Sequence, residues 1–244
     1  MIRLFSRSPR TTPGGTRPRI YHDMTRQAHL LIAGKTGAGK SVVINGIIYS
    51  LLCDGFPSDC ELILIDPKRV ELAQWRYTPH CIRYASEPGE PREALQTALD
   101  ITEDRYRYMQ REGLKKYPDG AVYVIIDELA DLMTTCRQEV LPLIQRLAQI
   151  GRAANVHIIA ATQCPLTKVI PTEVKVNFDA VLGLKTVTKQ HSRNIIEQTG
   201  CEDLPPYGFG YYRTPKDGLT LERLPMIPES ELDRVAQHWN LRRA

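Results

Sequence analysis

No stretch of the 244-residue chain approaches the roughly 18 consecutive apolar residues of a membrane-spanning helix, which argues against direct membrane insertion. The opening residues, MIRLFSRSPR, lack the apolar core of a secretory signal. Together these two absences place the protein in the cytoplasm. No C-x-x-C pair occurs among Cys53, Cys60, Cys81, Cys136, Cys164 and Cys201, so neither a zinc site nor a disulfide framework is indicated, and reduced, mostly buried thiols are expected. Strong basicity is missing too: a net charge of +4 and a pI of about 8.7 permit a nucleic-acid partner without pointing to one. The first 22 residues contain no acid, while Arg3, Arg7, Arg10, Arg17 and Arg19 stand among prolines, glycines and hydroxyl residues. Such a composition buries too little apolar surface to order itself, so residues 1–22 read as a flexible Arg-rich arm, either drawn to phosphates or simply a solvated tail. No internal repeat or long linker divides the remainder, and 23–244 reads as one domain.

The chain is long enough, and at 42% hydrophobic residues apolar enough, to fill one large α/β core. From His29 onward short apolar runs alternate with longer amphipathic stretches, the pattern of βαβ units around a mostly parallel sheet with helices on both faces. Strands are expected over His29–Ala33, Glu61–Asp66, Ala121–Asp127, Asn155–Ala161 and Ala180–Leu184. Helices are expected over Lys40–Leu52, Pro91–Gln110, Leu141–Ile150 and Ser230–Asn240, the last opened by a capping box of Ser230 and Asp233. The Pro-, Gly- and Tyr-rich stretch Pro205–Lys216 reads as a turn and a short edge strand.

The segment Gly34, Lys35, Thr36, Gly37, Ala38, Gly39, Lys40, Ser41 fits G-x-x-x-x-G-K-[ST] between an apolar strand and a helix, which is where a phosphate loop belongs. Its glycines let backbone N–H groups turn toward phosphate oxygens. Lys40 then neutralises the β and γ oxygens of ATP, and Ser41 ligates Mg²⁺. The spacing of Gly34, Gly37 and Gly39 does not fit the dinucleotide pattern G-x-G-x-x-G. A second apolar run, Ala121 to Ile126, delivers Asp127 and Glu128 at its C-terminal end. Asp127 suits Mg²⁺ and Glu128 suits the proton of an attacking water, the alternative being two solvated acids capping the next helix. Gln163, at the end of a neighbouring strand, is positioned to orient that water or to sense the γ-phosphate, unless it is an ordinary surface residue.

Taken in order, HLLIAGKTGAGKS, LILIDPKRVEL, YVIIDELADLM, RLAQIGRAANVHIIAATQCP and HSRNII resemble the motor domain of the FtsK/SpoIIIE DNA translocases, from about Asp23 to the end. The resemblance implies a P-loop NTPase of RecA-like fold, a ring-forming ATPase, usually a hexamer, that drives double-stranded DNA through a central pore. It implies Arg152 as an arginine given in trans to a neighbour's ATP, Arg193 as a second residue near the subunit interface, and Lys175 and Lys189 as pore lysines on DNA phosphates. The family's arginines at two positions are Cys164 and Val181 here, and an aspartate is His191, which weakens the DNA grip that the resemblance implies or moves it to neighbours such as Lys168. The membrane-spanning and winged-helix parts of the family are absent from this sequence. It reads as an excised motor domain or as a compact form, suited to plasmid or conjugative-element transfer, whose anchoring and targeting come from a membrane protein or relaxase. Two rivals keep the same site: a secretion ATPase that moves peptides, and a nucleotide-dependent assembly module with little turnover.

Overall fold

The computed structural model describes residues 2–3, 21–24, 26–163 and 170–241. Most of the expected N-terminal arm, together with Cys164 and Lys168, lies outside the described residues. In chain order the elements are β1 (Ile2–Arg3), β2 (Tyr21–His22), β3 (Leu30–Ala33), α1 (Lys40–Asp54), β4 (Cys60–Ile65), β5 (Cys81–Ala85), α2 (Glu90–Glu112), β6 (Ala121–Ile126), α3 (Leu129–Thr135), α4 (Arg137–Ile150), β7 (Val156–Thr162), α5 (Thr172–Lys175), β8 (Ala180–Gly183), α6 (Lys189–Ile196), β9 (Phe209–Thr214), β10 (Gly218–Arg223) and α7 (Glu229–Asn240). β1 and β2 pair with each other, and the main sheet has the order β10-β9-β8-β3-β7-β6-β4-β5. Strands β8 through β5 run parallel, while β9 and β10 add antiparallel at one edge.

Alternation along each central strand splits its side chains between two apolar layers. Leu30 and Ile32 of β3 join the layer containing α1 and α7, whereas Leu31 and Ala33 join the layer under α2, α3, α4 and α6. With both faces covered, β3, β6 and β7 are buried at every position. Helix α1 is buried continuously from Val43 to Leu52 and so carries no polar stripe. One face is closed by Trp75, whose Nε1 donates to Asn45 Oδ1 at 2.6 Å. α7 packs alongside, with Trp239 Nε1 donating to the Leu52 carbonyl at 3.0 Å and the ring edge-on to His80.

Two local expectations are corrected. Pro228, not Ser230, precedes the first turn of α7, which has no side-chain cap; proline's fixed φ suits a helix start. The stretch 205–216 contains β9, an interior strand, and the edge belongs to its hairpin partner β10. Of the described cysteines, Cys60 and Cys201 are buried, Cys81 and Cys136 are half-buried and Cys53 is exposed. Among the described residues no helix is long and apolar enough to cross a membrane.

Candidate active site

The chain leaves β3, builds β4 on one side of it, and later returns through β7 and β8, which flank β3 directly. The crevice beyond the C-terminal ends of these strands is where open α/β sheets bind ligands. The loop from 34 to 41 begins there. Gly34 N–H donates to the Thr162 carbonyl at 3.2 Å and Lys35 N–H to the Lys185 carbonyl at 2.8 Å, so the loop is tied to both neighbouring strands. A Cβ at Gly34 would stand 2.7 Å from Leu184 Cβ, which leaves glycine as the residue that fits. Gly37 and Gly39 hold φ of 73° and 94°, the left-handed conformation that turns successive N–H groups inward. Thr36 and Gly37 are exposed, Ala38 is buried, and α1 starts at Lys40 with no acid in its first turn, leaving the positive helix end uncompensated.

Lys40 is buried, and its Nζ donates to the carbonyls of Gly34 at 2.9 Å and Lys35 at 3.0 Å. Burial lowers its pKa, against the pull of Glu128 and Asp127. The ammonium therefore lies over the centre of the loop.

β6 lies beyond β7 from β3, so its end stands about 10 Å across the sheet from the loop, at roughly 4.8 Å per strand. It delivers Asp127 and Glu128, which are 7% and 2% exposed and hence far from solvated. Burial, then Asp66, Glu71 and Glu128, pushes the Asp127 carboxyl up to about 7, with Lys68 opposing. An oxygen donor so short of compensating charge fits a hard divalent cation, and Ser41, half-buried at the start of α1, offers a hydroxyl of the same donor type. Glu128 also caps α3 by accepting the Ala130 N–H at 3.3 Å, so the capping role and the buried carboxylate belong to one residue.

Gln163 joins the two motifs. Its backbone N–H donates to Glu128 Oε1 at 3.0 Å and Oε2 at 3.2 Å, while its side-chain Oε1 accepts the Thr36 hydroxyl at 2.6 Å. One residue thus touches the candidate base and the tip of the loop. Sequence reasoning missed Lys68, whose Nζ is 3.8 Å from Glu128 Oε2 and 3.4 Å from Asp131 Oδ2. It lies in the segment LILIDPKRVEL, but no local rule links it to residues so much later in the chain.

The other candidate residues lie elsewhere. Arg152 precedes β7, at the sheet end opposite the loop, and its Nη2 donates to the Arg26 carbonyl at 2.7 Å. Lys175 and Arg193 line a cavity of about 420 Å³ with Arg213 and Glu197, and no residue of the loop or the carboxylate pair lines it. Lys175 donates its ammonium to the Asn194 carbonyl, and burial lowers its pKa, with Glu197 raising and Arg213 lowering it further. Lys189 is exposed at the start of α6, and His191 there donates its N–H to the capping Thr188 hydroxyl. Val181 is buried and in register with Arg213 on β9.

A family model described as the FtsK/SpoIIIE family matches residues 10–120 and 115–166. The DNA translocase FtsK of Rickettsia bellii is 33% identical over 259 residues, covering 88% of this chain and 35% of that protein. That of Lactococcus lactis subsp. cremoris is 38% identical over 202 residues, covering 75% of this chain and 27% of that protein. The chain therefore spans about a third of the length of the curated relatives it matches. Among solved structures, the pCW3 conjugation coupling protein TcpA, in its monomer form with ATPγS, has a TM-score of 0.78 at 21% identity, covering 90% of this chain and 67% of that one. EssC (ATPases 2 and 3) of Geobacillus thermodenitrificans has a TM-score of 0.80 at 15% identity, covering 99% and 52%. These likenesses show a shared P-loop ATPase fold.

Proposed function

The chain belongs to the FtsK/SpoIIIE family, and on that premise we propose that it is a Mg²⁺-dependent ATPase motor that moves double-stranded DNA in the cytoplasm, in a ring of identical subunits, six by family likeness. Conjugative transfer is the process we assign to it, with membrane proteins or a relaxase as partners. The observation that carries the reading is the Gln163 bridge, which ties the buried Glu128 carboxylate to the loop on which the γ-phosphate would rest.

In this reading the loop N–H groups and Lys40 bind the β and γ oxygens, Lys40 giving up its two carbonyl partners to do so. Ser41 and Asp127 would hold Mg²⁺, which supplies countercharge to the β and γ oxygens. Glu128 takes one proton from a water whose oxygen bonds to the γ-phosphorus, while the bond to the bridging oxygen breaks and its electron pair leaves with ADP. Gln163 keeps that carboxylate in place. Arg152 stands too far from its own loop to serve it, which favours donation to a neighbouring subunit; Arg193 serves the same interface. By family likeness, Lys175, Lys189 and Lys168 would contact DNA phosphates without reading bases.

The test is ATPase rate against protein concentration, with and without duplex DNA. The expected result is a specific rate that rises with concentration, as shared sites assemble, and rises again with duplex of any sequence. A rate indifferent to DNA but raised by a substrate peptide would replace DNA by protein as the cargo, and no turnover under any condition would leave a nucleotide-dependent assembly module.

A further inference from the structure

The turn after β4 is built to hold a lysine over the carboxylates at the end of β6. Asp66 is fully buried, and its Oδ2 accepts the Leu72 N–H at 3.0 Å and the Tyr84 hydroxyl at 3.3 Å. Arg69 N–H closes the turn on the Asp66 carbonyl at 3.1 Å, and Arg69 itself adopts φ 59°, a left-handed conformation that a non-glycine residue holds only when its surroundings enforce it. Lys68, Arg69 and Val70 are exposed in this constrained turn, and Lys68 is the one that reaches Glu128 and Asp131.

Three acids, Asp66, Asp127 and Glu128, converge here, all at most 7% exposed. Buried carboxylates need cations close by. Lys40 is one, but in a nucleotide-bound site its charge is shared with phosphates; Lys68 is another, 3.8 Å from Glu128. Glu128 Oε1 is engaged by the Ala130 and Gln163 N–H groups, while Oε2 shares the Gln163 N–H and faces Lys68. On the far side Asp131 holds the ammonium at 3.4 Å.

We propose that Lys68 is a positioning residue for hydrolysis: held out by the Asp66–Pro67 turn and steadied by Asp131, it fixes the Glu128 carboxylate in its orientation toward the phosphate loop. The inference rests on the ATPase reading above and concerns the same site. Lys68 acts through Glu128 and leaves nucleotide binding to the loop.

The experiment compares Lys68→Met and Lys68→Arg with the parent, in steady-state hydrolysis and in direct binding of a fluorescent ATP analogue. Displacing a catalytic group by about an ångström costs on the order of a hundredfold, so Lys68→Met is expected to lower kcat roughly ten- to a hundredfold, with KM and analogue affinity changed less than about twofold. Lys68→Arg keeps the charge at similar reach and should recover most of the loss. In the Glu128→Gln background, adding Lys68→Met should leave the residual single-turnover rate unchanged, because the group acted upon is already disabled. Parent kcat in Lys68→Met, a parallel loss of analogue affinity, or a full additional loss on top of Glu128→Gln would each overturn the proposal. Lys40→Ala is the control for the premise: if it hydrolysed ATP at the parent rate, the ATPase site itself would be misplaced, a failure distinct from that of Lys68.

Discussion

Glu128 stands two residues beyond β6, caps α3 and accepts the Gln163 N–H, so its substitution separates chemistry from architecture. Glu128→Gln keeps an acceptor oxygen for the cap while removing the proton acceptor; hydrolysis is expected to fall by roughly 10²–10⁴-fold with ATP binding preserved. Filter retention of labelled ATP, measured beside phosphate release, checks this: bound ATP should persist unhydrolysed, and hydrolysis at the parent rate would require another base. The loop and the two carboxylates were legible in the sequence because their chemistry demands fixed residue types at fixed places along a strand–loop–helix unit. Gln163 was legible only as a polar residue at a strand end; its double attachment to Thr36 and Glu128 depends on β7 lying between β3 and β6. Pairing across the sheet is a tertiary fact, and local spacing does not encode it.

α7 shows how an element far from the chemistry supports it. Trp239 fills the space against His80 and donates to the Leu52 carbonyl near the end of α1, the helix whose other end is the phosphate loop. Trp239→Ala should cost about 3–5 kcal/mol, a fall in Tm of roughly 6–20 °C for a domain of this size. Calorimetry measures it, and an unchanged Tm would mean that α7 does not brace α1. The four helices and the five central strands read from the sequence all exist, because their apolar patterning is strong. The sequence reads β9 as a strand but places it at the edge: its buried positions are Gly210, Tyr212 and Thr214 while Phe209, Tyr211 and Arg213 are half-exposed, so hydrophobicity does not mark the inward face. The elements missed have physical reasons. β5 is half-exposed over most of its length at the sheet edge, and α6, KQHSRNII, is polar until its last turn.

At the scale of the whole molecule, the sheet end opposite the loop is built on buried histidines. Burial first, and then His157, drives His22 down to about 4 and His29 to about 3; burial drives His157 itself to about 4. Each is neutral in the folded protein and titrates near 6.5 when unfolded, so the unfolded state binds more protons between those values. Their contribution is complete above pH 6.5 and is lost as pH falls toward 4, by up to about 1.4 kcal/mol per pH unit for each histidine. Asp127, raised to about 7 from 3.8, takes up a proton in the folded state over much of the same window and offsets one of them. Denaturant midpoints at pH 7.5, 6 and 5 should decline steeply, and His157→Gln should flatten the slope; midpoints independent of pH would refute buried neutral imidazoles. Between this acid-sensitive base and the nucleotide crevice runs β7, seven buried residues spanning about 23 Å, with Arg152 four residues before one end and Gln163 directly after the other. A close-packed strand of this kind yields little under load. In a ring of the proposed kind it would be one stiff rod between Gln163, beside the loop, and Arg152, toward the neighbouring subunit.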